Sequence, residues 1–207
     1  MTLRTLLAVV STAVLYYGCS SVATRIPENP AHARAYLDRF QQLRPVIRWV
    51  LEARLAISNG SDGGSGSLEW IQDDQITRMS FHGALGRGAW YLEAAPSGAR
   101  LELANGDVAN ASTVAELLLN QVGWKVPVDA LTWWIKGLAQ PDGWQSRELD
   151  EMGRLKSLNQ LGWDVVFDQY DEYDGVWLPA KLTARRGDYR IKMIVREWRL
   201  GGGGLGL

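Results

Sequence analysis

Residues 68–103, LEWIQDDQITRMSFHGALGRGAWYLEAAPSGARLEL, are short alternating runs around one glycine-bounded loop, His82-Gly83-Ala84-Leu85-Gly86-Arg87-Gly88. Leu68 and Trp70 share one face, as do Met79 and Phe81, Trp90 and Leu92, and Leu101 and Leu103. Each run is too short for a buried helix, and a period of two is that of a strand with one face turned inward. Asp73-Asp74 and Pro96-Ser97-Gly98 are turn chemistries, so neighbouring runs are expected to pair antiparallel as a meander. The connection through Leu85 differs, because its glycines allow positive φ and leave little side chain to pack. Leu85 therefore either projects from the sheet edge or folds back under the loop as an apolar plug.

On the N-terminal side, Asn29-Pro30 supplies a capping side chain followed by proline, which starts a helix with Ala33, Tyr36 or Leu37, Phe40 and Leu43 as its stripe; Pro45 closes it. Leu51, Ala53, Leu55 and Ile57 alternate with polar residues as a first strand, and residues 59–67, NGSDGGSGS, read as a flexible hairpin loop. That loop lacks the lysine and following helix of a phosphate-binding loop.

On the C-terminal side, Thr113 to Glu116 is a capping-box pattern opening a helix with Val114, Leu117, Leu118 and Val122 on one face, ended by Gly123. A second helix, from Pro127 to about Lys136, carries Leu131, Trp134, Ile135 and Leu138. Strands then return at 144–149, 153–159, 162–169, 178–184 and 188–198. Trp163, Val165 and Phe167 oppose Asp164 and Asp168, and Ile191, Met193 and Val195 oppose Lys192 and Arg196. The acidic run 168–175 fails calcium-loop spacing because Tyr170 takes a ligand position, so a hairpin loop is expected. About ten sequential strands and three helices predict a curved, barrel-like antiparallel sheet, with a sandwich as the alternative.

The chain has 207 residues, 46% of them hydrophobic, with 22 basic and 23 acidic side chains, a balance that offers no electrostatic basis for binding nucleic acid. Ten Trp and seven Tyr against three Phe is a skewed aromatic choice that suits a cavity wall or interface as well as a core. The two histidines, His32 and His82, have no spaced Asp, Glu or Cys partner, and no G-x-S-x-G occurs, so no catalytic or metal-binding residue is proposed.

Residues 1–18, MTLRTLLAVVSTAVLYYG, read as a secretory signal ahead of Cys19, the only cysteine. Gly18-Cys19-Ser20 resembles a bacterial lipobox, with Tyr16 where leucine is usual and Leu15 one position early; the alternative is an ordinary signal or anchor with an incidental cysteine. After residue 18 no apolar run approaches the roughly 20 residues of a membrane span. The expected organisation is a signal at 1–18, a lipidated tether at 19–28, one domain at 29–199 and a glycine-rich tail at 200–207. In lipoproteins of this type serine after the cysteine, here Ser20, favours export to the outer membrane.

Taken with Cys19, the segments WVLEARLAI, LEW at 68–70, GALG at 83–86, LELANG at 101–106, VPVDALTWWIKGL at 126–138 and RIKMIVREW resemble, in order and spacing, the outer-membrane lipoprotein receptor family LolB. The resemblance implies a mainly β fold with α, a half-open antiparallel β-barrel of about 10–11 strands closed by three helices. It implies a monomer, anchored in the outer membrane and facing the periplasm, that accepts acylated lipoproteins from the carrier LolA and inserts them into outer-membrane lipid. No cofactor is implied beyond the covalent N-acyl and S-diacylglycerol lipid on Cys19. The family's protruding loop leucine falls on Leu85, preceded here by Gly83-Ala84 where other members have Asn-Pro, which makes the loop more mobile. Trp70, Trp90, Leu92, Leu101, Trp134, Trp163, Phe167 and Met193 are the candidates for an acyl cavity. Two other classes compete with this reading: an assembly or structural lipoprotein with a packed barrel, and a lipocalin-like carrier of free fatty acids or sterols.

Overall fold

The computed structural model describes residues 28–84 and 88–201. The signal segment, Cys19, Leu85 and the tail from residue 202 lie outside the described residues. Helix α1 (Pro30–Leu43) leads into strands β1 (Arg48–Ser58), β2 (Gly63–Asp73), β3 (Ile76–Gly83), β4 (Trp90–Ala95), β5 (Gly98–Leu103) and β6 (Val108–Ala111). Helices α2 (Val114–Val122) and α3 (Val128–Trp134) follow, then β7 (Trp144–Leu149), β8 (Leu155–Gln160), β9 (Trp163–Tyr173), β10 (Val176–Arg186) and β11 (Tyr189–Leu200).

All eleven strands form one antiparallel sheet in the order β6-β5-β4-β3-β2-β1-β11-β10-β9-β8-β7. Two meanders are therefore joined by pairing the first strand with the last, Leu51 opposite Trp198 and Leu55 opposite Met193. The sheet is not closed: its edges, β6 and β7, are consecutive in the chain, and α2 and α3 occupy the connection between them. Register shifts at Glu52/Ala53 in β1 and around Pro179 to Leu182 in β10 curl the sheet, and proline, lacking an N–H, sits where the ladder is already interrupted. Burial follows the alternation, with Trp163, Val165 and Phe167 inward between exposed Asp164 and Val166.

The structure departs from expectation in three places. β6 adds a short strand over Val108-Ala-Asn-Ala, where the sequence has no apolar alternation. Gly63 to Ser67 belong to β2 rather than to a loop, because backbone passes where side chains would stand: a Cβ on Gly66 would lie 2.2 Å from the His82 carbonyl oxygen, and one on Gly63 2.7 Å from that of Ile57. The acidic run shortens to a two-residue turn, Asp174-Gly175, both with positive φ (50° and 78°), the geometry of a tight hairpin.

The helices start and stop as their caps dictate. The Asn29 side chain accepts from the Ala31 N–H at 2.9 Å, and Thr113 Oγ1 accepts from Glu116 N–H at 3.2 Å while Glu116 reaches back to the Ser112 N–H at 3.3 Å. Gly123, at φ 73°, ends α2. On α1 the stripe resolves to Tyr36, which is buried, whereas Leu37 is exposed. α3 buries Trp134, and its amide clamp is Gln160: Trp134 Nε1 donates to Gln160 Oε1 at 2.9 Å, and Gln160 Nε2 donates to the carbonyls of Gln140 and Asp142 at 2.8 and 2.7 Å. A fully buried amide is tolerated there because its hydrogen-bonding groups are used.

α1 docks on the end of α3, the segment after it and the start of β10. Phe40 stacks on Trp133 at 5.8 Å, the Tyr36 hydroxyl accepts from Ala139 N–H at 3.0 Å, and Arg39 donates to the carbonyls of Lys136 and Trp177. Lys136 is buried here, its ammonium 5.0 Å from the centre of the Trp133 ring and donating to the Val46 carbonyl at 3.3 Å.

Two outcomes follow from this packing. Gly66→Ala should lower stability by about 1–3 kcal/mol through the forced displacement of β3, read as a lower urea midpoint with an unchanged slope. Burial holds the Lys136 ammonium down at about 8 against its ordinary 10.5, so the folded protein binds this proton less readily than the unfolded chain. The cost is full below pH 8 and fades toward 10.5, so stability should climb with pH on the order of 1 kcal/mol per unit between them. Tyr36 and Tyr173, pushed up by burial, oppose that climb only above pH 10. Lys136→Met should flatten the rise between pH 8 and 10 in urea midpoints taken at half-unit steps.

Candidate functional site

The inward faces of β1 to β4 and β11 meet the helical connection in an apolar cleft. Leu55 and Ile57 come from β1, Leu68 and Trp70 from β2, Met79 from β3, Trp90 from β4 and Ile191 from β11. Leu118 of α2, Leu131 of α3, and Trp124, Val126 and Val128 along and just after the link between those helices cover the other side. These positions converge because the strand residues alternate inward with period two, while Leu118 and Leu131 sit on the buried stripes of their helices. Among the described residues no titratable side chain lines the cleft, so its only polar side-chain atoms are the indole nitrogens of its tryptophans. The indole nitrogens of Trp70 and Trp90 are buried without a hydrogen-bond partner.

The free volume of the cleft is about 20 Å³, room for one water and no more. An acyl chain therefore enters only if a wall moves. The covering residues stand on short helices and a link rather than in the hydrogen-bonded sheet, so that wall is the mobile candidate.

Of the residues singled out from sequence, Trp70 and Trp90 line the cleft. Leu92 and Leu101 face each other across β4 and β5, and Leu92 opposes Met79, which continues the same inner face away from the cleft. Met193 is fully buried between Leu55 and Leu182. Trp134 and Trp163 meet at 6.4 Å beside Gln160, and Phe167 stacks on Tyr170 at 6.1 Å; both pairs lie in the other half of the sheet. Leu85 and Cys19 lie outside the described residues. Strand alternation already placed Leu55, Ile57, Leu68 and Met79 on inward faces, whereas Trp124, in a link with no periodicity, carried no signal beyond its residue type. Among the described residues there is no group of three His, Cys, Asp or Glu side chains able to hold a metal, and no helix long and apolar enough to cross a membrane.

The fold recurs in solved structures of low sequence identity. A LolA superfamily protein from Nitrosomonas europaea superposes with a TM-score of 0.53 at 6% identity, over 83% of this chain and 94% of that one. A putative outer membrane lipoprotein-sorting protein domain from Vibrio parahaemolyticus gives 0.51 at 9% identity over 83% and 92%. In sequence, the outer-membrane lipoprotein LolB of Pseudomonas savastanoi pv. phaseolicola is 34% identical over 92% of this chain and 94% of its own. That of Pseudomonas fluorescens is 35% identical over 82% of each. Residues 47–198, from the end of the α1 connection through nearly all of β11, match the family described as outer membrane lipoprotein LolB, and the chain therefore belongs to the LolB family of outer-membrane lipoproteins.

Proposed function

We propose that the protein is a receptor that takes acylated lipoproteins from the periplasmic carrier LolA and passes them into outer-membrane lipid. The observation that carries this reading is the cleft lined throughout by apolar side chains between the open sheet and a helical cover. Acyl chains are poorly tolerated in water, each buried methylene being worth about 0.8 kcal/mol, so a carrier-to-membrane transfer needs an apolar shelter that can open and close. No nucleotide or cofactor enters the scheme. Transfer runs downhill when the cleft holds the chains better than the carrier does and the bilayer holds them better still.

Cys19 has the role of the lipidated anchor in this scheme, with several acyl chains giving a stable hold where one would not. Leu85, in the connection between β3 and β4, is assigned to release. A single leucine entering apolar surroundings gains about 1.5–3 kcal/mol, too little to anchor a protein but enough for brief insertion into lipid.

Two measurements test the proposal. A fluorescent fatty acid should bind and be displaced by a triacylated peptide, and Met79→Gln, which puts an amide in the cleft wall, should weaken that binding about tenfold or more while leaving the fold intact by circular dichroism. In a transfer assay with carrier loaded with a triacylated protein, Leu85→Glu should still accept the load yet fail to deliver it to liposomes, and Leu85→Phe should deliver. Loss of uptake and stability together in Leu85→Glu would instead identify a buried plug.

A further inference from the structure

One end of the cleft is bordered by Trp124. Trp124 stands on the link between α2 and α3, and its ring meets Phe81 edge-on at 4.9 Å and 85° and Trp90 at 5.9 Å and 77°. Beneath it β2 presents Gly64, where a Cβ would come within 3.2 Å of Trp124 Cζ2. The seat of the indole is thus a place where the strand has no side chain. The link is held to α2 by the Trp124 N–H, which donates to the Leu118 carbonyl at 2.9 Å, and it turns at Gly123, whose φ of 73° suits glycine.

On the outer side of Trp124 lies a second hollow, a groove of about 280 Å³ bordered by Ile57, Ser58, Asn59, Asp62 and Tyr189. Ile57 and Trp124 border both spaces, so the indole stands where the two adjoin. The two differ in chemistry. The inner space is lined by apolar side chains, and the outer one mixes hydroxyl, amide and carboxylate groups with apolar surface.

We infer that cleft and groove are the two halves of one binding site for a single amphiphile, with Trp124 as a partition that swings aside to let the acyl chain in while the polar head stays in the groove. This rests on the acyl-receptor reading and adds to it the route of entry and the residue that controls it. An open form populated at about 1–10% would reduce the apparent affinity by the same fraction, so removing the partition should strengthen binding about 10- to 100-fold. Two independent changes act on the partition, one by removing it and one by crowding it. Trp124→Ala deletes the indole, and Gly64→Ala keeps it but places a methyl group against its seat.

The test uses the full lipidated chain in lipid nanodiscs, with dansyl-labelled undecanoic acid as probe and empty nanodiscs as the blank. Trp124→Ala should lower the apparent Kd and raise the association rate about 10- to 100-fold, and Gly64→Ala, which crowds the ring, and Trp124→Phe, which shrinks it, should each shift both in the same direction by less. Unchanged or weaker binding in Trp124→Ala and Gly64→Ala, while Met79→Gln still loses the probe, would overturn the partition and leave the receptor reading standing. Failure of every form to bind the probe would overturn both.

Discussion

The pairing of β1 with β11 is the constraint on which the rest of the molecule depends. It joins the first strand of one meander to the last strand of the other, so the sheet's two free edges, β6 and β7, are neighbours in the chain rather than its termini. A sheet edge exposes unpaired backbone groups, and an open barrel of this kind also exposes an apolar interior. The connection between β6 and β7 answers both problems at once, because α2 packs on β5 and β6 while α3 buries Trp134 against the inner face. The topology thus calls for a covering connection between β6 and β7, and α2 and α3 fill it.

The same arrangement makes the cover the soft part of the structure. The strands that line the cleft, β1 to β4 and β11, are held by ladders on both sides, whereas α2 and α3 are only 9 and 7 residues long and could not persist as isolated helices in water. Their stability is their packing on the sheet, and the part of it around the cleft is apolar and therefore non-directional. On the receptor reading, an acyl chain would offer those side chains a replacement surface of the same kind. The free energy spent in parting the cover is recovered methylene by methylene, which favours long chains over short ones without any specific contact. By contrast, the far end of α3 is tied by Gln160 and by the Phe40–Trp133 stack, so separation is expected near Trp124 and not there.

Much of the fold was legible because alternation and caps are local. Trp163, Val165 and Phe167, or Thr113 with Glu116, report their structure from a few neighbouring residues, and the order of motifs carried the family. What was hidden depends on distant parts of the chain. Gly66 looks like loop composition until the His82 carbonyl is seen where its Cβ would stand. β6 is a strand because β5 offers it an edge and not because Val-Ala-Asn-Ala has a pattern. In the site, alternation tells which face a residue takes but not how far along the sheet the cover reaches. Trp70 and Trp90 therefore line the cleft while Trp163 and Phe167, equally inward, do not. Trp124 lies in no periodic segment, and only the positions of Gly64 and Phe81 give it meaning.

The ends of the strands bear on how such a site would face a bilayer. Gly83, where β3 ends and the connection carrying Leu85 begins, pairs with Gly66, two residues from the Gly64 beneath Trp124. The mouth of the cleft and the Leu85 connection therefore leave the same end of the sheet, while α1 enters β1 at the opposite end. Glu28, the first described residue, is tied to Arg147 of β7 at 2.9 Å, and it lies nine Cα steps from Cys19. Extended, that tether reaches roughly 30 Å, close to the length of the eleven-residue β1, roughly 37 Å at strand rise. On the receptor reading, a tether of that reach would let a lipid on Cys19 and the β3–β4 connection meet one membrane. A tether much shorter than the strands would hold the mouth away from the bilayer. On the receptor reading, tether length and strand length are therefore coupled, and the span from Cys19 to Glu28 is part of the delivery device.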